Sequence, residues 1–156
     1  MGTDTIDSVL AVLTKEPGLD SYLVYVDPRG KLFAGRYRFP GEKLQQGEDC
    51  FQALKRGLPE EFDVKVSDVE LLYKKGNVLG GELYLCSGLI DGIPTRKEQD
   101  VGEPEWMSAS DLFRSNLVPN CKLALYVHLL RTQADTLYGL FYDIEQDQKF
   151  VEHLKI

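Results

Sequence analysis

Short apolar runs separated by Gly, Pro and Asp clusters occupy the first two thirds of the chain, and stripes of helical period replace them in the last third. The β-branched and aromatic runs "SVLAVLT" (Ser8 to Thr14) and "YLVYV" (Tyr22 to Val26), parted by the turn signal "EPGLD", predict two strands. "DPRG" at Asp27 to Gly30 is a Pro/Gly turn, and "KLFAGRYRFPG" returns the chain to Gly41 through short extended pieces. After Gly47 the period changes. Phe51, Leu54 and Leu58 take the i, i+3, i+7 spacing of a helix with one buried face, and Glu48 and Asp49 favour its start. "VELLYK" (Val69 to Lys74) and "GELYLCSGLI" (Gly81 to Ile90) predict further strands, and "PEWMS" a short strand entering a helix near Asp111. Leu123, Val127 and Leu130 mark one later helical stripe; Leu137, Leu140, Phe141, Ile144, Val151 and Leu154 mark another. There is no internal repeat and no low-complexity tract. Strands interspersed with a few helices and joined by short loops predict an α+β domain, a mixed sheet sandwiched between helices.

Composition narrows the partners more than the fold. A chain of 156 residues, 43% hydrophobic and 28% charged, suits one soluble globular domain able to bury a core without staples. No apolar run approaches the roughly 20 residues of a membrane helix. The start "MGTDTIDSV" lacks a basic region followed by an apolar stretch, so a cytoplasmic setting is expected; the alternative is an organellar one, whose removed targeting segment would leave no trace in this sequence. A net charge of −7 gives no support to a nucleic-acid-binding surface, although a local basic groove is compatible with it. The three cysteines, Cys50, Cys86 and Cys121, show no Cys-x-x-Cys spacing, which argues for reduced structural thiols over zinc or disulfides. With only His128 and His153 available, carboxylates must carry any metal.

One stretch carries candidate chemistry. "FPGEKLQQGEDCFQALKRGLPEEFDV", Phe39 to Val64, resembles the Nudix box of MutT-type proteins, whose pattern is G-x5-E-x7-R-E-U-x-E-E-x-G-U with U aliphatic. Pro40 and Gly41 stand on the "FPG" that precedes the box, Glu48 on its first Glu and Arg56 on its Arg. Leu58 takes the aliphatic position, Glu60 and Glu61 the paired acids, and Val64 the last aliphatic. Three positions depart: Glu42 stands where the box begins with Gly, Gly57 where it has the Glu after Arg, and Asp63 where it has its second Gly. "GRYRFPG" and "EPEWMSASDL" resemble the family's flanking segments, so the resemblance spans Ser8 to Leu130.

The resemblance implies a metal-dependent site built on oxygen ligands. Hydrolysis of a diphosphate linkage requires Mg²⁺ or Mn²⁺ to neutralise phosphate oxygens and activate water. Carboxylates spaced three and four residues apart on a helix present such ligands on one face. The implied ligands are Glu60, Glu61, Glu48 and the carbonyl of Gly41, with Arg56 orienting the acids through charge-assisted hydrogen bonds. Gly57 removes one carboxylate. Glu42, next to Gly41, is a candidate to swing into the space Gly57 leaves, and Glu98 or Asp100 matches the place where MutT-type enzymes supply a further ligand or base. Each of these acids also suits a solvated loop, and Arg56 an ordinary surface ion pair. The backbone offers a plainer arrangement too. Pro59 costs about 3 kcal/mol inside a helix and Gly57 about 1 kcal/mol relative to Ala, so a helix ending near Gly57, with Glu60 and Glu61 as solvated acids of a separate turn, competes. Tyr22, Tyr37, Phe39, Tyr84 and Trp106 could stack on a base, but their alternating strand positions suit the core.

The implied function is a divergent Nudix hydrolase of low activity, cleaving a nucleoside diphosphate linked to another moiety, with Glu60, Glu61, Arg56 and Glu98 as its catalytic set. The alternative is a catalytically inactive Nudix-fold binding or assembly subunit, of the kind found in pre-mRNA 3′-end processing and in the mitochondrial large ribosomal subunit, or a nucleotide sensor. Residues 1–134 are expected to form the Nudix-like domain and 135–156 its C-terminal helical extension. The stripe from Leu137 to Leu154 is expected to cover that domain or to meet a protein partner or second copy.

Overall fold

The computed structural model describes residues 5–29, 33–76, 80–97 and 101–132. The two leading apolar runs form strands β1 (Ser8–Thr14) and β2 (Tyr22–Val26), and the chain then makes β3 (Tyr37–Arg38) and β4 (Gly41–Lys43). Helix α1 (Cys50–Phe62) follows, then β5 (Lys65–Gly76), β6 (Glu82–Asp91), β7 (Glu105–Met107), α2 (Ala109–Arg114) and α3 (Pro119–Thr132).

Strand β1 organises the sheet. It pairs antiparallel with β4 and parallel with β6, which pairs antiparallel with β5, so the larger sheet is mixed in the order β4-β1-β6-β5. A smaller sheet runs β3-β2-β7. Both faces of β1 are covered, which is why "SVLAVLT" reads as a continuous apolar run rather than an alternating one. Val9, Ala11 and Leu13 join Leu54, Leu58 and Phe62 of α1 in one core cluster. Leu10 and Val12 join Leu112, Leu125 and Leu129 of α2 and α3 in another. The result is the expected mixed sheet between helical layers. Gly41 is needed where β4 meets β1: a Cβ there would stand 2.6 Å from the Val9 carbonyl oxygen.

Tertiary packing departs from the sequence pattern in three places. Strand β5 extends well beyond Val69–Lys74, to Lys65–Gly76. Only Val66 and Leu72 of it are buried, so an edge strand that faces solvent shows little apolar signal, and pairing with β6 defines its length. Register shifts between Ser67 and Glu70 and between Leu71 and Tyr73 turn Leu71 and Tyr73 outward. Helix α3 fully buries Cys121, Ala124, Leu125 and Leu129; of the stripe Leu123, Val127 and Leu130, the first two are partly buried against that core and Leu130 is half exposed. Its sequence is apolar on several faces, so position on the sheet selects the buried one. In α1 the buried face is Ala53, Leu54, Gly57, Leu58 and Phe62, with Phe51 turned outward. The stripe from Leu137 to Leu154 and the boundary at residue 134 lie outside the described residues. Among the described residues no helix is long and apolar enough to cross a membrane.

The two phenylalanines of α1 are expected to differ sharply on truncation. Phe62 is 1% exposed and Phe51 40% exposed. Phe62→Ala is expected to cost about 3 to 5 kcal/mol, and Phe51→Ala well under about 1 kcal/mol, as read from urea unfolding midpoints at constant slope. Equal losses would contradict the observed face.

Candidate active site

The loop from Gly41 to Asp49 and the second half of α1 build the site, and local chemistry sets their relative position. Asp49 caps the helix: its carboxylate accepts from the Gln52 N–H at 2.8 Å, while the Gln52 side chain accepts from the Asp49 N–H at 2.9 Å. The helix then continues without a break through Gly57 and Pro59 to Phe62. The arrangement in which it stops at Gly57 is therefore not adopted. Pro59 forfeits the hydrogen bond to the Lys55 carbonyl. Burial of Leu54, Leu58 and Phe62, worth about 1.5 to 3 kcal/mol each, offsets that cost. The C-terminus is closed by Asp63 in the left-handed region (φ 59°), whose N–H bonds the Pro59 carbonyl at 3.2 Å. The backbone N–H groups of Thr95 and Lys97 reach the carbonyls of Phe62 and Glu61 at 2.8 and 3.1 Å. Glu60 and Glu61 thus lie in the last turn of α1, Glu60 exposed and Glu61 half-buried.

Arg56 ties the loop to the helix. Its Nε and one terminal nitrogen each donate to the Glu48 carboxylate at 3.0 Å, a bidentate pair, and the same terminal nitrogen donates to the Lys43 carbonyl at 2.9 Å. Its other terminal nitrogen lies 3.7 Å from the Glu42 carboxylate. The Gln45 N–H also donates to Glu48, at 2.8 Å. The hydrogen bonds from Arg56, and then that from Gln45, hold the Glu48 carboxyl below its ordinary value.

Glu42 occupies the space above Gly57. A Cβ added to Gly57 would overlap the Glu42 carboxylate, with Cδ and Cγ only 2.9 and 3.0 Å away. A loop carboxylate therefore lies where a side chain at position 57 would begin. Glu61, one helical turn beyond Gly57, is on the same face, and Glu60 is likewise one turn beyond Arg56. Glu42, Glu48, Arg56, Glu60 and Glu61 are thus brought to one end of the domain, beside the Gly41 backbone. Glu98 and Asp100 lie outside the described residues.

Two residues that the sequence pattern left unmarked stand beside this group. Tyr25 and Arg38 are register partners on β2 and β3, and the Tyr25 ring meets Phe62 edge-on at 5.1 Å. Burial pushes the Tyr25 hydroxyl well above its ordinary value, Arg38 opposing and Glu61 adding to the shift. The alternation of "YRF", with a charge between two aromatics, was the signal available for Arg38. The aromatics weighed for base stacking lie where their strand positions suggest. Tyr22 and Phe39 are buried in the core, Tyr37 packs against it, and Tyr84 and Trp106 pack against the α1-side cluster. Cys86 and Cys121 are buried free thiols, and burial raises them to about 12 and about 11. A cavity of about 490 Å³ lined by Thr14, Glu70, Ser87 and His128 lies on the α3 side of the sheet, away from Gly57.

The oxygens gathered around Gly57 are hard donors of the kind Mg²⁺ and Mn²⁺ select. Among the described residues no three His, Cys, Asp or Glu side chains form a metal-binding group. Mg²⁺ is commonly held by one or two carboxylates, with water and substrate phosphates filling its remaining positions. Glu42, whose carboxylate lies over Gly57, and Glu61, one turn along the same face, are the candidates for that mode.

The Arg56–Glu48 pair predicts a specific acid response. Because the folded Glu48 carboxyl titrates below the ordinary value of about 4.3, the stability it contributes is complete above that value and is lost as pH falls through the depressed one. Glu48→Gln is expected to unfold earlier than the parent at pH 7 and to converge with it toward pH 2. A gap in thermal midpoint that stays constant across this range would contradict the linkage.

No protein-family model matches the chain, and no curated protein does. Solved structures do. The Nudix domain of Shewanella oneidensis NrtR, solved in complex with ADP ribose, is 19% identical, with 83% of this chain and 90% of that one covered at a TM-score of 0.69. A Nudix hydrolase from Nitrosomonas europaea is 21% identical, with coverage of 83% and 91% and a TM-score of 0.66. A MutT Nudix hydrolase from Burkholderia pseudomallei is 22% identical, with coverage of 77% and 95% and a TM-score of 0.64. Identities this low speak to architecture alone. With the mixed sheet between helices and the Gly41–Phe62 loop and helix already described, they establish that this chain has the Nudix fold.

Proposed function

We propose that the chain is a divergent Nudix-type hydrolase that cleaves a nucleoside diphosphate linked to another moiety, with its helix carboxylate moved onto the loop. The observation that carries this reading is the Glu42 carboxylate lying against Gly57. Two of the three departures from the motif, Gly for Glu at position 57 and Glu for Gly at position 42, are then one exchange that keeps a carboxylate over the same turn of α1. Glu42 and Glu61 would hold Mg²⁺ or Mn²⁺, with Glu60 and the Gly41 carbonyl beside them. Bound there, the ion would neutralise phosphate oxygens and lower the pKa of an attacking water. Arg56 acts as a positioning residue, locking Glu48 and steering Glu42. Glu98 stays in the proposal as a further base. The ADP ribose bound by the NrtR domain supports a nucleotide-type ligand here.

A second reading, a Nudix-fold binding module or nucleotide sensor without turnover, is favoured by one observation. Gly57 brings no carboxylate of its own to the stretch of α1 where Glu60 and Glu61 lie. The two readings diverge in one experiment. Hydrolysis of a panel of nucleoside diphosphate derivatives that includes ADP ribose is measured with and without Mg²⁺ or Mn²⁺, alongside calorimetric binding. Under the hydrolase reading turnover requires metal, and Glu42→Ala or Glu61→Gln lowers kcat/KM by at least the roughly 10- to 100-fold that loss of a metal ligand's outer partner causes. Gly57→Ala, which displaces Glu42 while improving helix propensity by about 1 kcal/mol, should lose activity as well. The exchange variant, Glu42→Gly with Gly57→Glu, should regain it. Nucleotide binding without turnover of any substrate would select the binding module.

A further inference from the structure

Strand β3 divides its residues between the two faces of the sheet. Phe39 is buried in the α3-side core and Tyr37 packs against that core, so the intervening Arg38 is directed to the face that α1 covers. There its guanidinium lies 6.0 Å from the ring of its register partner Tyr25. Tyr25 in turn packs on Phe62, the residue after Glu61. Arg38 and Glu61 both act electrostatically on the Tyr25 hydroxyl, which places Arg38 on the side of the domain where the last turn of α1 lies.

Among the described residues the Arg38 side chain, 37% exposed, makes one long ion pair. The acid it approaches is Asp27, at 4.0 Å from one terminal nitrogen, too far for a hydrogen bond. The Asp27 carboxylate already accepts from Arg29, from Nε at 3.1 Å, from a terminal nitrogen at 3.2 Å and from the backbone N–H at 2.9 Å. The Nε–H of Arg38 is buried and has no acceptor among the described residues. An unpaired buried donor on a permanent cation is costly, and such groups recur where a ligand supplies the acceptor. Arg56 is already engaged on the helix side, its Nε and one terminal nitrogen by Glu48 and the Lys43 carbonyl and the other terminal nitrogen facing Glu42 at 3.7 Å.

We propose that Arg38 is a substrate-binding residue whose guanidinium receives a phosphate oxygen of the diphosphate held at Glu42 and Glu61. This inference rests on the nucleoside diphosphate reading given above. It adds a protein cation on the strand side of the ligand, opposite the helix acids. A guanidinium suits this place, because its planar fork pairs with phosphate in a way that a lysine point charge does not.

Calorimetric binding of ADP and of inorganic pyrophosphate in the presence of Mg²⁺, to the full chain and to Arg38→Gln and Arg38→Lys, tests it. The expected result is a loss on the order of 10- to 100-fold for both ligands in Arg38→Gln, with partial recovery in Arg38→Lys and an unchanged thermal midpoint. Equal affinity in the full chain and Arg38→Gln would overturn the inference while leaving the function above intact. So would a loss for ADP without a loss for pyrophosphate, which would assign Arg38 to the base. A fall in affinity matched by a fall in thermal midpoint in both variants would make Arg38 structural and also overturn it. Failure of the full chain to bind either ligand would instead count against the nucleoside diphosphate reading.

Discussion

The burial of one face of α1 holds the rest of the site in place. Leu54, Leu58 and Phe62 press onto the sheet alongside Val9, Ala11 and Leu13, and this contact keeps the helix intact across a glycine and a proline that would favour ending it. Only because the helix survives to Phe62 do Glu60 and Glu61 keep their one-turn relation to Arg56 and Gly57. The same packing seats Tyr25 on Phe62, with the strand-borne Arg38 over the Tyr25 ring. Backbone hydrogen bonds from Thr95 and Lys97 complete the helix end, so its last turn does not depend on side chains alone.

Steric exclusion organises the loop above that helix. Gly41 lets β4 lie against β1 where any Cβ would strike the Val9 carbonyl, and this close approach fixes where the Glu42 side chain leaves the backbone. Gly57 then offers the volume that receives its carboxylate. Two glycines thus define one carboxylate position, the first by allowing backbone contact and the second by removing a side chain. Arg56 stabilises the arrangement from the side, neutralising Glu48 with two hydrogen bonds while lying closer to a through-space interaction with Glu42. The unequal hold matters for chemistry. Among the described residues Glu48 accepts three hydrogen bonds within the scaffold, whereas Glu42 accepts one, from the Lys43 N–H at 3.2 Å, and lies 3.7 Å from Arg56.

Much of this was legible in the residues. β1 and β2 begin and end where their apolar runs do, because strands covered on both faces need unbroken apolar sequence. The start of α1 was marked by Asp49, whose capping chemistry is local. Faces were harder to read. Leu130 and Phe51 matched helical stripes yet point outward, since a helix with apolar residues on several sides takes its buried face from the sheet it meets. The solvent-facing β5 was under-read for the converse reason, its length being set by a partner strand rather than by its own composition.

The order of Gly41, Glu48, Arg56, Glu60 and Glu61 along the chain, and with it the expectation of a Nudix fold, was determined by the sequence alone, since spacing along one loop and one helix is a local property. Whether Pro59 would break that helix was not, because the cost is local while the compensation comes from β1 and β6, distant in sequence. Nor was the meeting of Glu42 with Gly57, which lie fifteen positions apart by number and touch only because β4 and α1 are anchored to the same strand. Tyr25 reached α1 in the same way, through its packing on Phe62, and Arg38 came beside Tyr25 through the pairing of β2 with β3. Side-chain chemistry could be listed from the sequence; which groups share a volume was decided by the sheet.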